Sequence, residues 1–155
     1  MQLRDLSDMT AVVTGASSGI GAAAARALIA EGMNVVLSAR SVDKLNGLAE
    51  ELGERASVMV ADVADRGQVA RLFSFAKERH GGVDLLFNNA GVGYAGPFAE
   101  SDPADWQRTF EANVFGVFNC TQEAIPLLRG RSGTMISSVA SVAGRRGVED
   151  LAVYS

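Results

Sequence analysis

The chain has 155 residues with 14 Lys plus Arg against 18 Asp plus Glu, and its net charge of −4 argues against electrostatic binding to nucleic acid. A composition that is 48% hydrophobic and 21% charged can build a core, while 17 glycines against 3 prolines exclude collagen-like and proline-rich architectures. One cysteine, Cys120, cannot close an internal disulfide, and with His80 as the one histidine no zinc-ligand set remains. The start of the chain carries Arg4, Asp5 and Asp8 without the apolar stretch of a leader, and no window has the length of a membrane span. The expectation is one domain over residues 1–155, in a reducing, cytoplasmic setting.

Short apolar runs alternate with amphipathic segments. Thr10–Thr14 reads as a strand buried on both faces, and a helix follows from Ala22 to Glu31, with Ile20, Ala24, Ala27 and Leu28 on one stripe. Asn34–Ala39 repeats the strand pattern. Ser41 is a candidate N-cap for a helix through Leu45, Leu48 and Leu52, stopped at Gly53. The unit recurs with strand Ala56–Ala61 and helix Asp65–His80, then with strand Val83–Asn88 and a long helix from Asp102 to about Leu128 that Pro126 kinks in its last turn. A fifth strand spans Gly133 to Ser138, followed by a Ser/Gly/Arg-rich loop and the start of another helix after Asp150. This alternation predicts an α/β fold, an open parallel sheet wound with helices on both faces, whose ligands bind beyond the strand carboxyl ends.

The motifs fall at those ends. Thr14-Gly15-Ala16-Ser17-Ser18-Gly19-Ile20-Gly21 joins the first strand to the first helix. Gly15 suits a tight turn, Gly19 lets backbone approach a pyrophosphate, and Gly21 lets the helix pack closely on the sheet. The loop lacks the Gly-Lys-Ser/Thr ending of a P-loop. With Asp62-Val63 after the third strand, Asn88-Asn89-Ala90-Gly91 after the fourth and Asn113 in the long helix, the chain resembles the short-chain dehydrogenases/reductases over its whole length.

That resemblance implies a Rossmann-type sheet and a nicotinamide cofactor held by Gly15, Ser17, Ser18, Gly19, Ile20, Gly21, Asp62, Val63, Asn89, Ala90 and Gly91. Cofactor choice is read at the end of the second strand, where an acidic residue would bind a ribose 2′-hydroxyl. Ala39 stands there and Arg40 follows, and a guanidinium pairs with a 2′-phosphate. NADP(H) is therefore favoured over NAD(H).

Ser137 and Ser138 close the fifth strand and Ser141 follows it; the family's serine-to-tyrosine spacing of thirteen selects Ser141 with Tyr154 and leaves Ser138 as the alternative. The resemblance implies that Tyr154, Ser141 and Asn113 are catalytic in the interconversion of an alcohol and a ketone or aldehyde, Tyr154 exchanging the proton. It places a lysine beyond Ser155 that would lower the acidity demand on the tyrosine, together with further strands and the substrate loop. The chain thus reads as the cofactor half of a longer domain, and a cofactor-binding but catalytically silent domain is the alternative.

Gly93, Tyr94 and Phe98 are expected at the substrate's border. His80 reads as a helix C-terminal residue, Cys120 as a small buried side chain and Arg145-Arg146 as a solvated pair. Trp106, Phe110, Phe115 and Phe118 put apolar groups on more than one face of the long helix. With the resemblance, this implies a homodimer or homotetramer of the complete protein. The isolated chain is expected to expose the edge of its fifth strand.

Overall fold

The structure, a computed structural model, describes residues 6–155, so Arg4 and Asp5 lie outside the described residues. Five parallel strands form one sheet in the order β3-β2-β1-β4-β5: β1 Thr10–Thr14, β2 Asn34–Ser38, β3 Ala56–Val58, β4 Leu85–Asn88 and β5 Met135–Ser138. Four connections carry helices: α1 Gly19–Ala30, α2 Val42–Leu52, α3 Arg66–His80, and α4 Pro103–Phe110 continuing into α5 Gly116–Leu128. The α/β, Rossmann-like architecture expected from the alternation is what forms.

Its cause is visible in β1, where every residue is buried. Val12 joins Val36 and Leu86 against α3 and α5 through Leu72, Phe73 and Ala124. Ala11 and Val13 join Val35 and Leu37 against α1 and α2 through Ala25, Leu45 and Leu48. Alternate side chains thus feed two cores, and each buried Val or Leu contributes about 1.5–3 kcal/mol. Cys120 faces the α3/α5 core, and burial pushes its thiol up to about 12.

Several boundaries differ from the sequence reading. The first helix begins at Gly19, because the glycine loop's last residues already wind into it. The third strand ends at Val58, although Met59 and Ala61 still donate to the Leu37 and Ala39 carbonyls at 3.1 and 3.2 Å. The fourth and fifth strands start two residues late, at Leu85 and Met135, although the Asp84 backbone still pairs on both sides, donating to the Thr10 carbonyl at 2.8 Å and accepting the Met135 amide at 2.9 Å.

The long helix is the largest correction. Between α4 and α5 lies a π-helical turn, Glu111–Phe115, flanked by residues that keep right-handed helical angles. The π-helical turn widens the helix locally at Asn113, while Cys120 and Ala124 on α5 point into the core. Helix α5 runs through Pro126 to Leu128. After Asp150 there is a turn and no assigned helix: the amides of Tyr154 and Ser155 both donate to the Leu151 carbonyl, at 2.9 and 2.8 Å.

Among the described residues, strand β5 pairs with β4 alone, and Met135 on it is 56% exposed. Phe118 on α5 is 63% exposed and meets the Phe115 ring edge-on at 6.5 Å between centroids. Both surfaces fit the expected open edge and unpartnered helix face.

Candidate functional site

Strands β1 and β4 are neighbours, but their following helices pack on opposite faces, so the chain parts at their carboxyl ends. A cleft of about 690 Å³ opens there. Its floor is one hydrogen-bonded unit made from two loops. Thr14 Oγ1 accepts the Asn89 and Ala90 amides at 3.0 and 3.1 Å, and Asn89 Nδ2 donates to the Thr14 and Gly15 carbonyls at 3.0 and 3.2 Å. The loops approach so closely that a Cβ on Gly15, which has φ +64°, would stand 2.8 Å from Ala90 Cα.

Gly19 opens helix α1 with φ +54°, and a Cβ there would meet nothing within 4 Å. Ser18 makes no side-chain cap bond, so the first amides of α1 are not satisfied by it. Backbone donors beside an open glycine suit the diphosphate of a dinucleotide, and the residues present therefore fit such a group.

At the far side of the cleft, Arg40 follows β2 and its Nη1 lies 3.9 Å from Asp62 Oδ2. The Asp62 loop is fixed by Asp62 Oδ1 accepting the Ala64 amide at 3.0 Å and by Gln68 Oε1 accepting the Asp62 amide at 3.0 Å. Asp65 caps α3 by accepting the Gln68 amide, which holds its carboxyl below the usual range.

Ser17, Ser18, Ile20, Val63 and Gly91 line the cleft with the residues just described. Gly21 does not line it. Its Cβ would fall 2.4 Å from the Gly15 carbonyl oxygen, so Gly21 supports the loop from behind. Thr14 is the residue the sequence reading left without a role, and its signal is a hydroxyl closing a strand whose interior is Ala-Val-Val. Arg108, Glu111 and Ala112 also reach the cleft. Their i, i+3, i+4 spacing is that of one helix face, a signal the sequence reading did not use.

Asn113, Ser141 and Tyr154 lie outside the lining. The Asn113 amide clasps the backbone of Val92: Oδ1 accepts its N–H and Nδ2 donates to its carbonyl, both at 2.8 Å. Ser141 Oγ accepts the Ala143 amide at 3.2 Å, opening the 3-10 turn Val142–Gly144. Ser138 Oγ instead accepts from Asn88 Nδ2 at 3.4 Å, stitching β5 to β4. The Tyr154 ring lies 3.7 Å from where a Gly93 Cβ would stand, and Gly96 donates to the Asp150 carbonyl at 2.7 Å. The segment before Tyr154 is thereby tied to the loop after β4.

Comparison with known proteins agrees with this geometry. The chain is 42% identical over 146 residues to nodulation protein G of Rhizobium sp. (strain N33), covering 92% of this chain and 60% of that protein. It superposes with a TM-score of 0.94 and 35% identity on a short-chain dehydrogenase/reductase from Burkholderia phymatum in complex with NAD, covering 98% of this chain and 56% of that one. A short-chain dehydrogenase/reductase described as glucose/ribitol dehydrogenase from Brucella melitensis gives a TM-score of 0.92 at 37% identity, with 97% and 63% covered. The chain therefore spans about 60% of the length of these proteins. The short chain dehydrogenase pattern matches residues 9–155, and the chain belongs to that family.

Proposed function

We propose that the protein is an NADP(H)-preferring oxidoreductase that interconverts an alcohol and a ketone or aldehyde. The observation that carries this reading is the two-loop floor, with Thr14 and Asn89 holding an open Gly19 cradle at the head of α1. Gly15, Ser17, Ser18, Gly19 and Ile20 would hold the diphosphate side, with Asp62, Val63, Asn89, Ala90 and Gly91 on the nucleoside side. The NAD in the Burkholderia phymatum structure supports a nicotinamide cofactor, and Arg40 supports the 2′-phosphorylated form. Such a cofactor supplies hydride transfer when bound.

The chain's own residues do the rest. Ser141 Oγ accepts from Ala143, which leaves its O–H free to donate to a substrate oxygen. Tyr154 exchanges a proton with that oxygen. Asn113 is a positioning residue: both ends of its amide are occupied by Val92, so it fixes the π-helical turn against the loop after β4. The exposed Phe115 and Phe118 support a homodimer or homotetramer of the complete protein, and the single free, buried cysteine fits a reducing, cytoplasmic setting.

A second reading, a domain that binds the cofactor without turnover, is favoured by one observation: Ser141 and Tyr154 stand outside the cleft lining. Titration with NADPH followed by a carbonyl-reduction assay separates the two. Turnover that falls about 10²- to 10⁴-fold in Tyr154→Phe, with NADPH affinity retained, is the expected result. Binding without turnover establishes the second reading, and an absence of binding overturns both.

A further inference from the structure

We propose that Lys44, on the first turn of α2, is a second cation for the cofactor's 2′-phosphate and so a determinant of cofactor selectivity; this rests on the NADP(H) reading. A phosphate monoester carries about −1.5 to −2 charges near neutrality. Arg40 alone answers it poorly, because its guanidinium already has the Asp62 carboxylate 3.9 Å away. A second groove, of about 320 Å³, leaves the same Ser17-Ser18-Gly19 stretch that lines the main cleft and runs between α1 and α2.

Two basic side chains line that groove, Arg26 and Lys44. Arg26 is neutralised by a two-pronged bridge to Glu51, with Nε and Nη2 each 2.6 Å from a carboxylate oxygen. Lys44 has no ion pair among the described residues. It stands three residues after Ser41, which lines the main cleft, so the two share a face of the chain as it enters α2. The groove thus joins the main cleft, which Arg40 lines, through Ser17, Ser18 and Gly19, and carries one uncommitted positive charge. Its ligand class is a phosphate monoester on the adenosine ribose, and a flexible ammonium suits it as a point charge.

The test is calorimetric titration of the protein with adenosine 2′,5′-bisphosphate and with 5′-AMP, in wild type, Lys44→Ala, Lys44→Arg and Arg40→Ala. The expected result is a 2′,5′-bisphosphate affinity about three- to tenfold lower in Lys44→Ala, recovered in Lys44→Arg, with the 5′-AMP affinity moving less than twofold. The salt dependence of 2′,5′-bisphosphate binding should also become shallower in Lys44→Ala. An unchanged affinity in Lys44→Ala beside a loss in Arg40→Ala overturns the role of Lys44 and leaves the NADP(H) reading standing. Equal losses for both nucleotides in Lys44→Ala also overturn it, since they report loop geometry alone. A wild type that fails to distinguish the two nucleotides overturns the NADP(H) reading itself.

Discussion

The junction of β1 and β4 has two ends that handle polar groups in opposite ways. At the amino end, Asp84 is buried and its carboxylate accepts the Thr10 amide at 2.9 Å and Arg131 Nε and Nη2 at 2.8 and 3.0 Å. Donors and acceptors there are turned on one another. At the carboxyl end, Thr14 and Asn89 also lace the strands together, yet the glycine loop they support faces an open cleft. Similar hydrogen-bond chemistry closes one end and holds the other open. What differs is backbone: glycines at 15, 19 and 21 keep side-chain atoms out of the loop, and the helices diverge beyond it.

Substitutions at the two ends should therefore separate stability from binding. The largest effect is expected from Gly21→Ala, whose methyl would lie 2.4 Å from the Gly15 carbonyl oxygen and 2.6 Å from Asn89 Nδ2. Backbone cannot yield cheaply, so thermal denaturation should show a loss of about 3 kcal/mol together with loss of nucleotide binding. By contrast, Gly19→Ala meets open space and strains only a positive φ, so about 1 kcal/mol of stability is lost while binding still falls sharply. Equal melting curves for the two variants would contradict the close-packed account of the loop.

At the closed end, Asp84→Ala strands the Thr10 amide and the Arg131 guanidinium. Arg131 is partly solvated, so the expected loss is about 2 kcal/mol, with nucleotide affinity unchanged at a temperature where the variant is folded. An affinity change beyond twofold would show that the two ends are coupled.

The smallest effect concerns His80, the last residue of α3, whose Nε2 lies 3.1 Å from Ser57 Oγ. Burial first, and then Arg79, hold its imidazole below the ordinary 6.5. The unfolded chain thus binds the proton more readily than the folded one. Stability is fully present above about pH 6.5 and falls as pH drops through the lower folded value. Chemical denaturation at pH 7.5 and 5.5 should show this slope flattened in His80→Gln, and an unchanged slope would assign it elsewhere.

Much of this was legible residue by residue. Thr10–Thr14 matches its strand because a five-residue β-branched run buried on both faces has few other places to go. Asp65 and Gly81 mark the ends of α3 as a side-chain cap and a left-handed glycine. Strand ends were less legible: apolar residues such as Met59 and Ala61 pack against the core and bond to β2 and its end whether or not the ladder stays regular, and the pattern records burial only. The π-helical turn was hidden because it holds no glycine or proline that would mark a break. Asn113 within it clasps Val92, 21 residues earlier in the chain, a contact that local pattern does not record.

Sequence by itself determined the alternation of strands and helices, the parallel sheet and the position of the glycine loop, since these follow from local periodicity and from turns that demand glycine. Tertiary structure decided which residues share a site. It placed Gly21 behind the loop, brought Glu111 and Ala112 to the cleft, set Asp62 beside Arg40, and left Lys44 uncommitted in a groove whose other cation is paired. Those outcomes depend on distances between segments remote in sequence, fixed only when the two cores pack against the sheet.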